Sequence, residues 1–331
     1  MATIFVSGGT GFIGTYLVKR LIAANHVVHV LSRGSHASDS PQLQFYEGDI
    51  TSAEAVQKAM QGCECAYHLA GYARAWHRDK QYYFQVNALG TQNIMQAAIA
   101  QDVRRVCLVS TAGILPPAVH GIPVNETARL RPELHTTYER SKWMGEQIAR
   151  SYQQQIELVI AYPTKVYGPG PIDESNSATL MMRDYLSGKW HVIPGNGRGI
   201  MDYVYVEDVA QGIELVMDKG RAGEAYVLGG EPASYNRFFE LLKKLSQVYY
   251  PLFHVPVPVI YGITYVEWLK AQLGYKPLLT PEWVRKIPYD WSKSSEKARQ
   301  ELGYRARSLE EGMQLTLHWL KTNAVEIFDN K

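Results

Sequence analysis

The chain has 331 residues, enough for a large core and more than a typical single domain. Apolar residues make up 46% and charged residues 20%, a globular composition that excludes a disordered chain. Basic residues number 34 and acidic residues 32, a net charge of +2 with no basic run, so nucleic acid is not an expected partner.

The first expected strand, Thr3 to Ser7, starts almost at Met1 and leaves no room for a signal peptide. It runs into Gly8-Gly9-Thr10-Gly11-Phe12-Ile13-Gly14, after which Ile13, Leu17 and Leu21 form one apolar stripe on a helix. Gly8 permits a tight turn, Gly11 lets a pyrophosphate approach the backbone, and Gly14 lets the helix pack on the strand. The helix N-terminus offers unpaired N–H groups to phosphates. Gly8, Thr10, Gly11, Phe12, Ile13 and Gly14 are therefore candidate dinucleotide-binding residues. The bland alternative is a glycine turn with no ligand.

The second strand, Val27–Leu31, is followed by Ser32-Arg33-Gly34-Ser35, without the carboxylate that would read a free ribose 2′-hydroxyl. Arg33 offers a planar cationic fork to a 2′-phosphate and Ser32 adds a hydroxyl, so NADP(H) is the expected cofactor and NAD(H) the alternative. A solvated arginine is the plain reading. A third strand spans Leu43–Glu47, and Thr51 with Glu54 reads as a capping box for the next helix. Strands at Ala66–Leu69 and Val106–Ser110 flank a helix over 79–100.

The fifth strand ends in Ser110-Thr111-Ala112-Gly113, at the carboxyl edge where a substrate sits in such sheets. Thr111 is placed to donate a hydrogen bond to a reacting oxygen, and Ser110 to face the cofactor. A helix over 137–154 carries Tyr138 and Lys142 four residues apart, on one face. A nearby ammonium lowers a phenol's pKa, which suits the tyrosine to exchange a proton with a carbonyl or alcohol oxygen. Alone, each piece has an ordinary reading as a surface pair or a cap; their order and placement carry the inference.

A sixth strand, Leu158–Ala161, precedes the break Tyr167-Gly168-Pro169-Gly170-Pro171. Val206, Val209, Ile213 and Val216 mark a helix that returns to the sheet. Val255–Val266, interrupted by Pro256, Pro258 and Gly262, is too short to span a bilayer and reads as a buried segment. Tyr249, Tyr250, Tyr261, Tyr265, Trp268 and Trp283 read as core packing, or as the wall of an apolar pocket. Trp76 and His77 are weaker substrate-side candidates. Ser308 and Glu311 cap a last helix. Cys63, Cys65 and Cys107 fit neither a disulfide frame nor a metal site, and point to a reducing cytoplasm.

The expected fold is α/β, a doubly wound parallel (Rossmann) sheet with a smaller, mostly helical C-terminal lobe. Residues 1–168, with a returning segment at about 200–230, make the dinucleotide-binding domain. Residues 169–199 and 231–331 make the substrate lobe.

These residues together resemble the extended short-chain dehydrogenase/reductases. The likeness runs through Gly8–Gly14, Gly48-Asp49-Ile50, His68-Leu69-Ala70-Gly71, Asn87-Ala88-Leu89-Gly90-Thr91, Ser110-Thr111, Tyr138/Lys142, Pro163–Gly170 and Tyr203–Ala210. It implies that Asp49 contacts adenine and that Ile50 lines its pocket. It implies that Leu69, Ala70 and Gly71 face the cofactor and that Pro163 packs near the nicotinamide. It makes Asn87 a cofactor-side residue that is either structural or part of a proton relay, and it implies dimerisation through the helices at 79–100 and 137–154. The chain departs from the family pattern at Tyr162, where arginine is common, and at Lys165, where asparagine is common; both positions are expected near the substrate. Ala112-Gly113 replaces the Asp-Glu of the nucleotide-sugar dehydratases. The pattern is closer to the dihydroflavonol-reductase-like and hydroxysteroid-dehydrogenase-like branch.

The expected activity is reversible hydride transfer between NADP(H) and a small carbonyl/alcohol substrate, with Thr111, Tyr138 and Lys142 catalytic and no metal. The rivals are a nucleotide-sugar epimerase with tightly held NAD and a dinucleotide sensor without turnover. No membrane partner is expected, and a homodimer is.

Overall fold

The computed structural model describes residues 1–38, 40–128, 134–275, 277 and 280–323. The strands in chain order are β1 (Thr3–Ser7), β2 (Val27–Ser32), β3 (Leu43–Glu47), β4 (Cys65–His68), β5 (Arg105–Val109), β6 (Glu157–Pro163), β7 (Lys165–Tyr167), β8 (Val192–Pro194), β9 (Ile200–Tyr205), β10 (Ala225–Leu228), β11 (Glu231–Ser234) and β12 (Phe253–Val255). The first half of the chain supplies helices α1 (Phe12–Ala23), α2 (Ala53–Met60), α3 (Gln81–Phe84), α4 (Gly90–Ala100) and α5 (Thr137–Ser151). The second half supplies α6 (Ser177–Leu186), α7 (Val206–Lys219), α8 (Tyr235–Ser246), α9 (Val257–Gln272), α10 (Pro281–Val284), α11 (Glu296–Leu302) and α12 (Leu309–Thr322).

Seven strands form one sheet in the order β10-β6-β5-β4-β1-β2-β3, every pair parallel. The chain reverses its winding between β1 and β4, and the crevice outside their carboxyl ends is where such sheets bind ligands. Alternation along β1 explains the two cores. Ile4 and Val6 face a cluster with Leu17 and Val18 of α1 and Val209 and Ile213 of α7. Phe5 faces the opposite cluster, with Ile94 and Ala98 of α4 and Ala149 of α5. A strand covered on both faces is apolar throughout, which is why these strands read as short apolar runs.

The helix expected over 79–100 runs from Gln81 to Ala100, with a π turn at Gln85–Leu89 between α3 and α4. Tyr167, Met182, Tyr185, Tyr203, Phe238, Leu242, Met313 and Leu317 close a third core around the small sheet β11-β9-β7. Residues 324–331 of the expected lobe lie outside the described residues.

Three expectations are corrected. The N-cap of α2 is Ser52, which accepts from the Ala55 N–H, because Asp49 takes the Thr51 hydroxyl at 2.7 Å. The apolar segment around 255–266 is helical rather than buried: α9 is anchored by Ile260, while Val259, Ile263, Val266 and Leu269 are exposed. Tyr249, Tyr250, Tyr265 and Trp268 are exposed as well, so they are not core. Among the described residues, no helix is long and apolar enough to cross a membrane.

Candidate active site

The glycine turn is built on two close approaches. Gly8 has φ +74°, and a Cβ there would lie 2.6 Å from the Ala70 backbone nitrogen. A Cβ on Gly14 would lie 2.0 Å from the Gly8 carbonyl oxygen, so the turn closes only with hydrogen at both positions. The Gly11 N–H donates to the Gly8 carbonyl at 3.0 Å. The first turn of α1 carries no acidic side chain and no side-chain cap, leaving its N–H groups and positive dipole end open. Two strands along the same edge, at the end of β5, the buried Ser110 hydroxyl has no hydrogen-bond partner. An uncapped helix N-terminus and an orphaned hydroxyl at one sheet edge fit the phosphates and polar groups of a dinucleotide.

Other expected cofactor positions line the same edge. At the end of β2, Ser32 is buried and Arg33 is exposed, with Nη1 donating to the Tyr82 hydroxyl at 3.3 Å. Asp49 Oδ1 accepts from the Thr51 nitrogen at 2.9 Å, and Ile50 packs where α4 begins at Gly90. After β4, the Leu69 N–H donates to the Ser7 carbonyl at 3.0 Å, and the Ala70 N–H to the Ser7 hydroxyl at 3.3 Å. The Ala70 N–H is thus already engaged with β1. Gly71 lies against Asn87 Oδ1 and the Lys142 amine. Pro163 ends β6, paired with Leu228 of β10.

Asn87 is a brace. Its Oδ1 accepts from the Tyr72 N–H at 2.7 Å, and its Nδ2 donates to the Ser141 hydroxyl at 2.8 Å. The Ser141 hydroxyl donates to the Tyr138 carbonyl at 2.8 Å, so the loop after β4 and helix α5 are tied through one amide. A second chain, which sequence reasoning missed, runs from Ser7 through His68 to Thr91. Ser7 Oγ lies 2.8 Å from His68 Nδ1, and His68 Nε2 lies 2.9 Å from Thr91 Oγ1, which donates to the Asn87 carbonyl at 2.7 Å. Burial, then the Lys142 charge, holds His68 down at about 3, so its ring is neutral.

Helix α5 begins with the capping box Thr136/Glu139, and Glu282 of α10 accepts from the Thr137 N–H at 2.8 Å. The buried Glu139 carboxylate also pairs with Lys286. These contacts fix the first turn, where Tyr138 sits. Thr111 Oγ1 accepts from the Gly113 N–H at 3.1 Å, and its hydroxyl acts on the Tyr138 phenol. Lys142 is buried, and its amine donates to the Val109 carbonyl at 2.9 Å. The structure therefore brings Thr111, Tyr138 and Lys142 to the carboxyl end of β5, beside the loop after β4.

The electrostatics differ from the expectation of an acidified phenol. Burial pushes the Tyr138 phenol up to about 12, only partly offset by the Thr111 hydroxyl. Burial brings the Lys142 amine down to about 8, against the pull of Glu146. The reason is geometric: the amine is bound to a backbone carbonyl rather than to the phenol, so desolvation outweighs mutual attraction.

Tyr162 does not face substrate. It is buried, donating to Glu146 Oε1 at 2.5 Å and accepting from Arg150 at 3.3 Å, and so holds β6 against α5. His77 stacks on Tyr82 with ring centroids 4.6 Å apart. Among the described residues, no cluster of His, Cys, Asp and Glu is arranged to hold a metal ion.

Sheet, turn and edge hydroxyls together define an NAD(P)-dependent oxidoreductase of the extended short-chain dehydrogenase/reductase class. The chain belongs to the NAD dependent epimerase/dehydratase family, whose profile matches residues 4–229. It is 28% identical over 329 residues to a dihydroflavonol 4-reductase-like protein of Synechocystis, covering 96% of this chain and 94% of that protein. It is 24% identical over 314 residues to the Bos taurus sterol-4-alpha-carboxylate 3-dehydrogenase, decarboxylating, covering 91% and 87% of the two chains. Among solved structures, the UDP-glucose 4-epimerase of Thermotoga maritima, determined with UDP-glucose, superposes with a TM-score of 0.81 at 25% identity, over 97% of this chain and 99% of the other.

Proposed function

We propose that the protein is an NADP(H)-dependent reductase that interconverts a carbonyl and an alcohol through Thr111, Tyr138 and Lys142. The observation that carries the reading is the convergence of two hydroxyls, Thr111 and Tyr138, at the edge of the sheet with the buried Lys142 amine bound to Val109. When bound, the dinucleotide supplies a hydride at its nicotinamide.

The chain's own residues do the rest. The Gly8–Gly14 turn and the α1 N-terminus hold the phosphates, with Ser110 and Pro163 near the nicotinamide end. Ser32 and Arg33 take the adenosine ribose, with Asp49 and Ile50 beside the adenine. Tyr138 keeps its proton through neutral pH and gives it to the substrate oxygen. The Thr111 hydroxyl favours the ionised phenol, so it eases the negative charge that appears on Tyr138 as the proton leaves. Lys142 supplies a buried positive charge one helical turn away. A panel of ketones and aldehydes with NADPH and NADH, followed by cofactor absorbance, tests the reading; no oxidation of either cofactor with any member would refute it.

Arg33 sets the cofactor choice. In Arg33→Ala, KM for NADPH should rise about tenfold to a hundredfold, the worth of one or two charge-assisted hydrogen bonds, with KM for NADH almost unmoved. Equal effects on both cofactors would remove Arg33 from 2′-phosphate recognition.

Lys142 sets an alkaline limb. Its amine is half neutral at about 8 instead of 10.5, because burial penalises the charged form. The charge beside Tyr138 is therefore present below pH 8 and lost above it. The kcat/KM for reduction should fall as pH rises through about 8; a plateau extending to pH 10 would contradict this.

We place the protein in the cytoplasm on the strength of three free, buried thiols. We also read it as a homodimer. Leu89, in the π turn before α4, and Met144, on α5, are exposed apolar residues on adjacent helices, suited to a self-complementary two-fold contact. Light scattering should give twice the monomer mass, and Met144→Asp should give the monomer.

A further inference from the structure

Three lysines stand on the substrate side of this edge, and they are not equally neutralised. Lys286 is buried, pairs with Glu139 and lies 4.2 Å from the Trp291 ring centroid. Lys293 is buried, and its amine donates to the Pro116 carbonyl at 2.7 Å. The carboxylates of Asp202 and Asp290 act on it as well. Lys165 is different. It opens β7, two residues beyond Pro163 at the end of β6, and it is half-buried within the field of Lys286. Among the described residues, no hydrogen bond or ion pair engages its amine.

A half-buried ammonium beside a second cation is costly to keep without an anion. The acids beside the cluster are committed, Asp290 to the Ser292 N–H and hydroxyl. Glu139 accepts from the His135 and Thr136 N–H groups while holding Lys286. Asp202 accepts from the Thr164 hydroxyl at 2.9 Å and the Gly230 N–H at 2.8 Å. The placement is also functional. β5 and β6 are neighbours in the sheet, β5 leads to Thr111, and the strand following β6 opens with Lys165.

We propose that Lys165 recognises an anionic group on the substrate, and that the substrate is a carbonyl compound, or its alcohol, bearing a single carboxylate. One uncommitted cation matches one negative charge; a diphosphate would call for more, and Lys286 and Lys293 already have acceptors. The inference rests on the reading of the Thr111/Tyr138 edge as the reacting centre.

Calorimetric titration of the NADPH-loaded protein with three matched pairs tests it: benzoylformate, 3-benzoylpropionate and 4-acetylbenzoate, each against its methyl ester. At least one acid should bind at least about tenfold more tightly than its ester. Lys165→Met should erase that preference and Lys165→Arg should keep it, both with unchanged NADPH affinity. No preference in any pair, or a preference that survives Lys165→Met, would overturn the inference. Turnover of the same compounds separates the two readings. Reduction of the esters without acid preference would sink the role of Lys165 alone. Acid preference lost in Lys165→Met, with no reduction of any compound, would sink the reacting centre alone.

Discussion

Replacing Tyr138 by phenylalanine should lower kcat about a thousandfold while leaving the Kd for NADPH within about twofold, as measured by steady-state turnover and by cofactor fluorescence titration. The substitution removes one hydroxyl and almost no volume, so the fold has no reason to respond. What is lost is the proton donor. Burial holds the phenol at about 12, so the wild-type side chain is fully protonated at neutral pH and ready to donate. Thr111 is then left with Gly113 as its hydrogen-bond partner. Thr111→Val should cost less, about tenfold to a hundredfold in kcat, because it removes only the group that eases charge on Tyr138. Comparable turnover in wild type and Tyr138→Phe would move the chemistry elsewhere.

The second large effect is steric. In Gly14→Ala the new methyl would sit 2.0 Å from the Gly8 carbonyl oxygen, a backbone atom that cannot swing aside. Helix α1 must then lift from β1, loosening Leu17 and Val18 against Ile4 and Val6. Overpacking of this kind costs about 3 kcal/mol or more. For a chain of this size that is a fall in Tm of roughly 4 °C or more by calorimetry. The same shift spoils the turn on which the phosphates rest, so NADPH binding should weaken more than tenfold. An unaltered Tm and Kd would mean that the turn is looser than its geometry.

Much of the scaffold is legible in the residues because β1, β4, β5 and β6 are covered on both faces and therefore continuously apolar. Their ends slip by a residue or two: β4 runs Cys65–His68 rather than Ala66–Leu69, and β5 starts at Arg105. The glycine turn from Gly8 to Gly14 and the four-residue spacing of Tyr138 and Lys142 on α5 are legible for a different reason: each depends on neighbours in the sequence. What was not legible depends on distant partners. The Thr136/Glu139 box is written in the chain, but its bond to Lys286 joins residues 147 apart. The His68 relay needs β1, β4 and α4 in register, and the π turn at Gln85–Leu89 has no periodic signature. Tyr162 was expected beside the substrate because it stands where the resembled family commonly has arginine, whereas Glu146 and Arg150 draw it into the core. The acidified phenol failed because four-residue spacing cannot say where an amine points; that of Lys142 points at Val109. Apolarity also misled at α9, where no layer covers Val259, Ile263 and Val266.

The most direct measurement follows an isotope. NADPH deuterated at the nicotinamide C4 is incubated with the protein and a ketone that it reduces, and the alcohol is weighed by mass spectrometry. The account predicts one deuterium at the carbinol carbon with wild-type protein, and almost no labelled alcohol with Tyr138→Phe. Alcohol formed without deuterium from either face of the ring, or equal labelling by both proteins, would contradict it.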